Sequence, residues 1–382
     1  MKLTIEQSAL QKGLARVVAV VAARNTIPIL ANVLIDAESE PDRVWITATD
    51  LDREARTAVE ATIEEAGRVT APASLLSDIA RNAPSGAEIA MIWDKTSEPR
   101  LQVKFGRSNY KVPVLPAGDF PVWGERKWPI TVTVTTLALA KLIERSAFVA
   151  DGGEKGNVRP LLSSAYLHPL TGDVGRRLRM VATNGHRLAW ADELEFDGPD
   201  DWKGVIIPVP TLQEFSRALA GRVAPAQLHI SETGIQLDVA DMVISSKLVE
   251  GEYLDYRRAV PASTARSITV DRELLTNAVR RVGLVSRERV RPVKLAIADG
   301  VISLTVRNTE SGQAVEEVEC GYDGEPFDVG LNSIYLLDAL GQTAAETLCL
   351  GIDDAASPMR IETPPDDPEH GSCLAIVMPL RI

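Results

Sequence analysis

Apolar and polar positions follow a pattern that occurs three times along this chain. Residues 5–16, 134–145 and 270–281 each read as the end of a strand running into an amphipathic helix. In register, Leu10, Leu139 and Leu275 share one position, and Leu14, Ile143 and Val279 share another four residues on, which puts both on one helical face. Two residues further, off that face, stand Arg16, Arg145 and Arg281. A basic side chain recurring on the polar side of three copies points to a surface built by repetition.

The order of the remaining elements repeats as well. Residues 28–35, 159–167 and 291–297 read as strands, and residues 44–50, 178–184 and 301–307 read as half-buried strands by their alternation. A second helix follows a Pro, Asn or Ser start signal. Its apolar positions are Leu75, Leu76 and Ile79 in the first copy, Leu212, Phe215 and Leu219 in the second, and Ile334, Leu336, Leu337 and Leu340 in the third. A period of roughly 130 residues is too long for a solenoid and suits a whole domain. The expectation is an α+β chain of three tandem, similar domains at residues 1–125, 129–259 and 260–382. Turn-rich seams separate them, and residues 152–157 and 363–371 read as exposed loops.

Composition narrows the chemistry. Three cysteines occur, Cys320, Cys349 and Cys373, without paired spacing. This argues against a disulfide framework or a zinc site and for buried thiols in a cytoplasmic protein. No apolar run reaches the ~20 residues that cross a bilayer, and residues 1–5 read as a first strand, not a signal peptide. No membrane partner is expected. The net charge of −12 opposes phosphate overall, yet it does not say where the charges lie. An acidic exterior with a basic inner face reconciles the two. Lys12 and Lys141 fall one turn before Arg16 and Arg145, and Arg24, Arg81 and Arg217 could join them.

Signals for catalysis are weak. There is no phosphate-cradling loop, dinucleotide fingerprint or nucleophile elbow. His168, His186, His229 and His370 have no metal-ligand spacing, and Asp50 with Asp52 reads as a turn pair. No catalytic residue, metal or cofactor is assigned. In residues 181–190, Asn184-Gly185 reads as a two-residue hairpin turn, which leaves Thr183, His186 and Arg187 unexplained.

That last segment resembles the Ala-Thr-Asp-Gly-His-Arg-Leu-Ala motif in the middle domain of bacterial DNA polymerase III beta subunits, the sliding clamps, with Asn184 in place of Asp. Further matches run the full length: residues 28–30 with Asn32, 49–51, 115–121, 246–251 and 256–258, and the Val-Met-Pro-Leu-Arg-Ile end at residues 377–382. The resemblance implies the DNA clamp fold. Two chains would close head to tail into a six-domain ring, helices inside and sheets outside. It implies a non-catalytic processivity factor that encircles double-stranded DNA without reading sequence, through Lys12, Arg16, Arg24, Lys141, Arg145 and Arg281.

The resemblance also implies a cleft for short peptides of the replicative DNA polymerase alpha subunit, the clamp loader, translesion polymerases and mismatch-repair proteins. Its lining here would be Arg159, Leu161, Leu162, Thr183, Gly185, His186, Arg187, Leu188, Arg258, Ile376, Val377, Met378, Pro379, Leu380 and Arg381. The homodimer seam would use Tyr110 on one side and Leu274 and Leu275 on the other. Leu161, Leu254 and Pro358 depart from the residues common in the family, which bears on peptide preference. The alternatives are an enzyme on a triplicated scaffold, which would need Asp50, Asp52 or His186 to carry chemistry, and a clamp paralogue devoted to drug tolerance or regulation.

Overall fold

Each copy opens as its pattern predicts, with a strand that turns directly into a helix. The structure, a computed structural model, describes residues 1–21, 26–94, 100–124, 126–151, 159–172, 175–193, 196–286, 291–342, 345–364 and 373–381. Arg24, the expected loop at residues 152–157 and most of the one at 363–371 lie outside the described residues. The opening helices are α1 (Gln7–Val17), α3 (Thr136–Ser146) and α5 (Arg272–Val282), each of 11 residues and in the register read from the sequence. The second helices are α2 (Ala73–Asn82), α4 (Val209–Leu219) and α6 (Ser333–Leu340). Acidic caps hold two of the starts. The Glu6 carboxylate accepts from Ser8 N–H, and the Asp271 carboxylate accepts from Leu274 N–H at 2.8 Å. Each satisfies a backbone donor that the first turn leaves without a partner.

Two expectations change. Residues 28–35 and 159–167 are not strands throughout: Pro28–Ala31 and Pro160–Ser163 form 3₁₀ turns, and the strands begin only at Asn32 and Ser164. A proline fixes φ at a helix-like value and suits a first helical position. In the third copy Pro292 instead begins the strand Pro292–Ala298. In α2, Leu76 and Ile79 are buried, but Leu75 is exposed, one position round the helix from the core stripe.

The chain forms two compact units. The first comprises Met1–Leu137, Asp197–Pro199 and Gln213–Leu248, and holds a five-stranded and an eight-stranded sheet. The eight-stranded sheet joins two copies, because Met242–Lys247 of the second pairs antiparallel with Arg53–Glu60 of the first, Met242 opposite Thr57 and Ser246 opposite Arg53. The second unit comprises Ala138–Phe196, Asp200–Leu212 and Val249–Ile382, and holds a twelve-stranded sheet. Here Arg187–Glu193 of the second copy pairs with Cys373–Val377 of the third, Leu188 opposite Ile376 and Trp190 opposite Leu374. Both joints use the last strand of one copy and the same strand of the copy before it. Cores lie between helices and sheets. In the third copy, alternate residues Ile302, Leu304 and Val306 pack with Leu275, Ala278, Val279 and Val282 of α5.

Gly13 shows how tightly α1 sits on its sheet. A Cβ there would stand 2.5 Å from Val59 Cγ2 and 3.4 Å from Ile46 Cδ1. Alanine in a helix interior gains about 1 kcal/mol over glycine, but overpacking a stiff β-branched neighbour costs about 1–3 kcal/mol. The second effect wins. Gly13→Ala is expected to destabilise the protein by about 1 kcal/mol, read as a lower urea midpoint. An unchanged or higher midpoint would show that the sheet yields.

Candidate functional site

The repeated basic positions lie on helices of equal length, yet their surroundings differ. Lys12 is exposed, and Lys141 and Arg145 are half-buried. Arg281 is exposed and forms a two-pronged pair with Glu316 of the strand Gly312–Gly321, its Nε donating to both carboxylate oxygens at 3.0 Å. Arg16 is half-buried. Its Nη1 pairs with Asp241 and lies 3.4 Å from Thr57 Oγ1. The other oxygen of Asp241 accepts from Arg222 Nη1 at 2.7 Å. Burial works against ionisation of Asp241, but hydrogen bonds from Arg222 and Arg16 outweigh it and hold its carboxyl below the usual range. Arg81 pairs with Asp78 at 3.2 Å, and Arg217 with Glu214 at 2.5 Å. Asp50 accepts from the backbone of Asp52 and Arg53, and Asp52 pairs with Lys247, so this pair shapes a turn as read.

The middle-copy motif is built differently from the two-residue turn expected. Asn184, Gly185 and His186 form a three-residue connection in which Gly185 has φ +87° and Asn184 does not enter the left-handed region. The side chains supply the acceptors. Asn184 Oδ1 takes N–H bonds from His186 (3.0 Å) and Arg187 (3.1 Å), while Thr183 Oγ1 takes that of Gly185 (3.2 Å) and donates to the Arg187 carbonyl (2.8 Å). This explains Thr183 and Asn184 as turn-formers.

Arg187 is the anchor of the arrangement. Its Nη1 pairs with Asp338 of α6 at 2.5 Å, its Nη2 donates to the Phe148 carbonyl at 3.0 Å, and its guanidinium lies 4.4 Å from the Tyr335 ring centroid. The last segment then crosses between copies. Met378 N–H donates to the His186 carbonyl (2.9 Å), and Leu380 N–H donates to the Gly330 carbonyl (2.8 Å).

Of the residues expected to line a cleft, Arg159, Gly185, His186, Arg258, Met378 and Arg381 are exposed, and Leu161, Arg187, Pro379 and Leu380 are half-buried. Leu162 and Thr183 are buried, each with a small exposed fraction, whereas Leu188, Ile376 and Val377 sit in the cores. Pro379, Leu380 and Arg381 also border a cavity of 1120 Å³ with Arg307 and Asp328, and no described residue of the middle copy lines it. At the expected seam Tyr110 and Leu274 are exposed, at 39% and 55%. Leu275 is fully buried under the strands of its own copy. It is a core residue, because the helical stripe that carries Val279 carries it too.

Phe148, Tyr335 and Asp338 were missed, because their meeting with Arg187 depends on chain folding. So was an aromatic stack beneath the connection between the second and third copies. Tyr166 stacks on Tyr253 and His168 (centroids 5.2 and 4.7 Å), and His168 meets Tyr256. A usable signal was that three of only six tyrosines fall here. Cys373 is buried as expected, Cys320 and Cys349 only half-buried, and all three thiols are free and pushed up by burial. Among the described residues no group of His, Cys, Asp and Glu gathers that could hold a metal, and no helix is long and apolar enough to cross a membrane.

Comparison with known proteins places this architecture. Models of the DNA polymerase III beta subunit match in order: N-terminal domain at residues 1–124, central domain at 133–255 and C-terminal domain at 257–381. The beta sliding clamp of Caulobacter vibrioides is 41% identical over 382 residues, and that of Escherichia coli K12 is 32% identical over 384, each covering 100% of both chains. A crystal structure of a Caulobacter crescentus beta sliding clamp superposes with TM-score 0.94 at 40% identity, over 100% of this chain and 99% of that one. A Bartonella birtlesii sliding clamp, bound to griselimycin in its crystal, gives 0.92 at 35% identity over 100% of both chains. Three tandem α+β domains of this kind constitute the DNA clamp fold. The chain belongs to the DNA polymerase III beta subunit family, and it is a sliding clamp without catalysis of its own.

His168 makes the stack sensitive to acid. A carbonyl only accepts, so Nδ1 donates to Pro169 O (2.9 Å), and Nε2 of the neutral ring accepts from Tyr256 O–H (3.0 Å). Burial, with Arg179 and Arg257 nearby, lowers the pKa from 6.5 against the opposing Pro169 carbonyl and Asp192. The unfolded chain therefore binds the proton more readily, and stability is lost as pH falls below 6.5. The urea midpoint is expected to fall over that range and to fall less in His168→Gln. Identical pH profiles would remove His168 from the account.

Proposed function

We propose that two copies of this chain close head to tail around duplex DNA and tether the replicative polymerase to it. The observation that carries this reading is the strand-sharing rule between copies. Within the chain the last strand of the second copy pairs with the first, and the last strand of the third pairs with the second. By the same rule Ser108–Pro113, which carries Tyr110 at the edge of the five-stranded sheet, would pair with another copy; among the described residues its strand partner is Arg100–Phe105 alone. Among the described residues, positions 312–319 of Gly312–Gly321 pair on one side only. Two open edges of the right kind let a second molecule complete the pattern twice, a heterologous contact that closes by rotation. Tyr110 and Leu274 lie at that seam, and the domains span residues 1–125, 129–259 and 260–382.

Lys12, Arg16, Arg24, Lys141, Arg145 and Arg281 face the DNA in this ring and contact phosphate, which carries no sequence information. The residues around Arg187 and the C-terminal segment receive peptides from the polymerase alpha subunit, the clamp loader, translesion polymerases and mismatch-repair proteins. Exposed Met378 and half-buried Leu161 and Leu380 supply apolar anchors beside His186 and Arg187. The protein works in the cytoplasm, and the loader supplies the ATP chemistry.

Two outcomes are expected. Loaded onto nicked circular DNA by its loader and ATP, the protein stays with the circles through a sizing column in elevated salt and is lost when they are linearised. Loss from both forms with an active loader would sink the encirclement reading. Separately, removing residues 378–382 reduces affinity for a polymerase-derived peptide at least tenfold while light scattering still reports a dimer. Unchanged affinity would overturn the cleft.

A further inference from the structure

Asp241 occupies an unusual place among the basic groups of the first unit. It sits in the connection between Gly234–Val239 and Met242–Lys247, immediately after Ala240, a non-glycine residue at φ +52°. Holding alanine there is costly and persists only where the surroundings fix it. They do: the Asp241 carbonyl accepts from Ala58 N–H (2.9 Å) and Thr57 O–H (3.1 Å), both on Arg53–Glu60 of the first copy. The side chain is thereby set between Arg16 of α1 and Arg222 just beyond α4. One carboxylate faces two guanidiniums drawn from two copies, and the cluster stays partly open to solvent, Arg16 at 33% and Asp241 at 28%.

We propose that Asp241 is a counter-charge that limits the grip of Arg16 and Arg222 on DNA phosphate. This deepens the sliding-clamp reading and rests on it. A guanidinium has five N–H donors in a planar fork. Asp241 and Thr57 take the Nη1 end of Arg16, so only the other edge can address a phosphate while the pair persists. Each phosphate neutralised by a cation releases counterions and adds about 0.9 to the slope of log affinity against log salt. A ring must be held without being fixed, and a carboxylate that shares the arginines lowers the number of phosphates they neutralise. A further acid in this position also explains how a basic inner face can slide: the charge is present but partly spent on the protein itself.

The test uses full-length protein and a short duplex of arbitrary sequence, with affinity followed by fluorescence anisotropy across a salt series. Asp241→Asn keeps the shape and an acceptor oxygen but removes the charge. It is expected to bind more tightly and to steepen the salt slope by up to about 0.9, with slower diffusion of loaded rings along DNA. In an Arg16→Ala background the gain is expected to shrink, because the freed partner is gone. Asp241→Ser serves the same purpose should the Asn variant fold poorly by circular dichroism. A slope equal to the parent's overturns the proposal. Weaker binding with a shallower slope overturns it too, and makes Asp241 a group that orients the arginines for DNA. Retention of the parent on circular DNA is scored in parallel. If the parent is retained and the variants do not differ from it, this inference alone fails. If the parent is not retained, the clamp reading fails and this inference with it.

Discussion

The structure depends on one constraint: a strand edge exposes a row of backbone donors and acceptors that must find partners. The second and third copies here meet it by lending their last strands to the copy before them. Met242–Lys247 completes the sheet of the first copy, and Cys373–Val377 completes that of the second. Because side chains alternate between faces along a strand, a one-residue slip would turn every buried residue outward. Register between copies is therefore as strongly specified as register within them. Ile244 opposite Ala55 and Leu188 opposite Ile376 are all buried, so the joints are continuous with the cores. The helices inherit this precision, since each opening helix follows directly from a strand of a fixed sheet.

The residues proposed to receive peptides follow from the second joint. Pairing Arg187–Glu193 with Cys373–Val377 brings the Thr183–Arg187 connection beside the last segment of the chain. Arg187 then reaches across to Asp338 and Tyr335, so a residue expected at a binding rim also fixes α6 against the middle copy. The observed role and the proposed one compete. A guanidinium already tied to a carboxylate and a carbonyl, and covered by a ring, is held in one orientation, which suits recognition. In the proposed site it is less able to reorient for different peptides, and adaptability is left to exposed His186 and Met378.

Much of this was legible in the sequence, and what was not has a common cause. The helix register at Leu10, Leu139 and Leu275 is local and periodic, and the structure keeps it to the residue. The same stripe should have assigned Leu275 to the core, but the family resemblance pulled it towards the seam. The Asn184-Gly185 turn was misread because Thr183 and Asn184 supply acceptors that mimic backbone. Their side chains, not a dipeptide preference, set the loop length. Pro28 and Pro160 were read as strand because neighbouring apolar residues outweighed them. The remaining misses are non-local. Arg16 meets Asp241 across 225 positions, and Tyr166 meets Tyr253 and His168 meets Tyr256 only once the connection folds back on the sheet.

The last segment shows how shared edges leave apolar side chains outside the cores. After Val377 the chain leaves the ladder, yet Met378 still donates to the middle copy and Leu380 to the third. With these two N–H groups satisfied on either side, the side chain of Met378 stays exposed and those of Pro379 and Leu380 half-buried. Their neighbours in the strand, Ile376 and Val377, are consumed by the cores. Because the backbone of Met378, Pro379 and Leu380 is already held in place, a ligand that covers these apolar groups has to order side chains but not the chain that carries them. A strand that ends between two copies thus presents the proposed peptide site on a backbone already fixed by how the copies are joined.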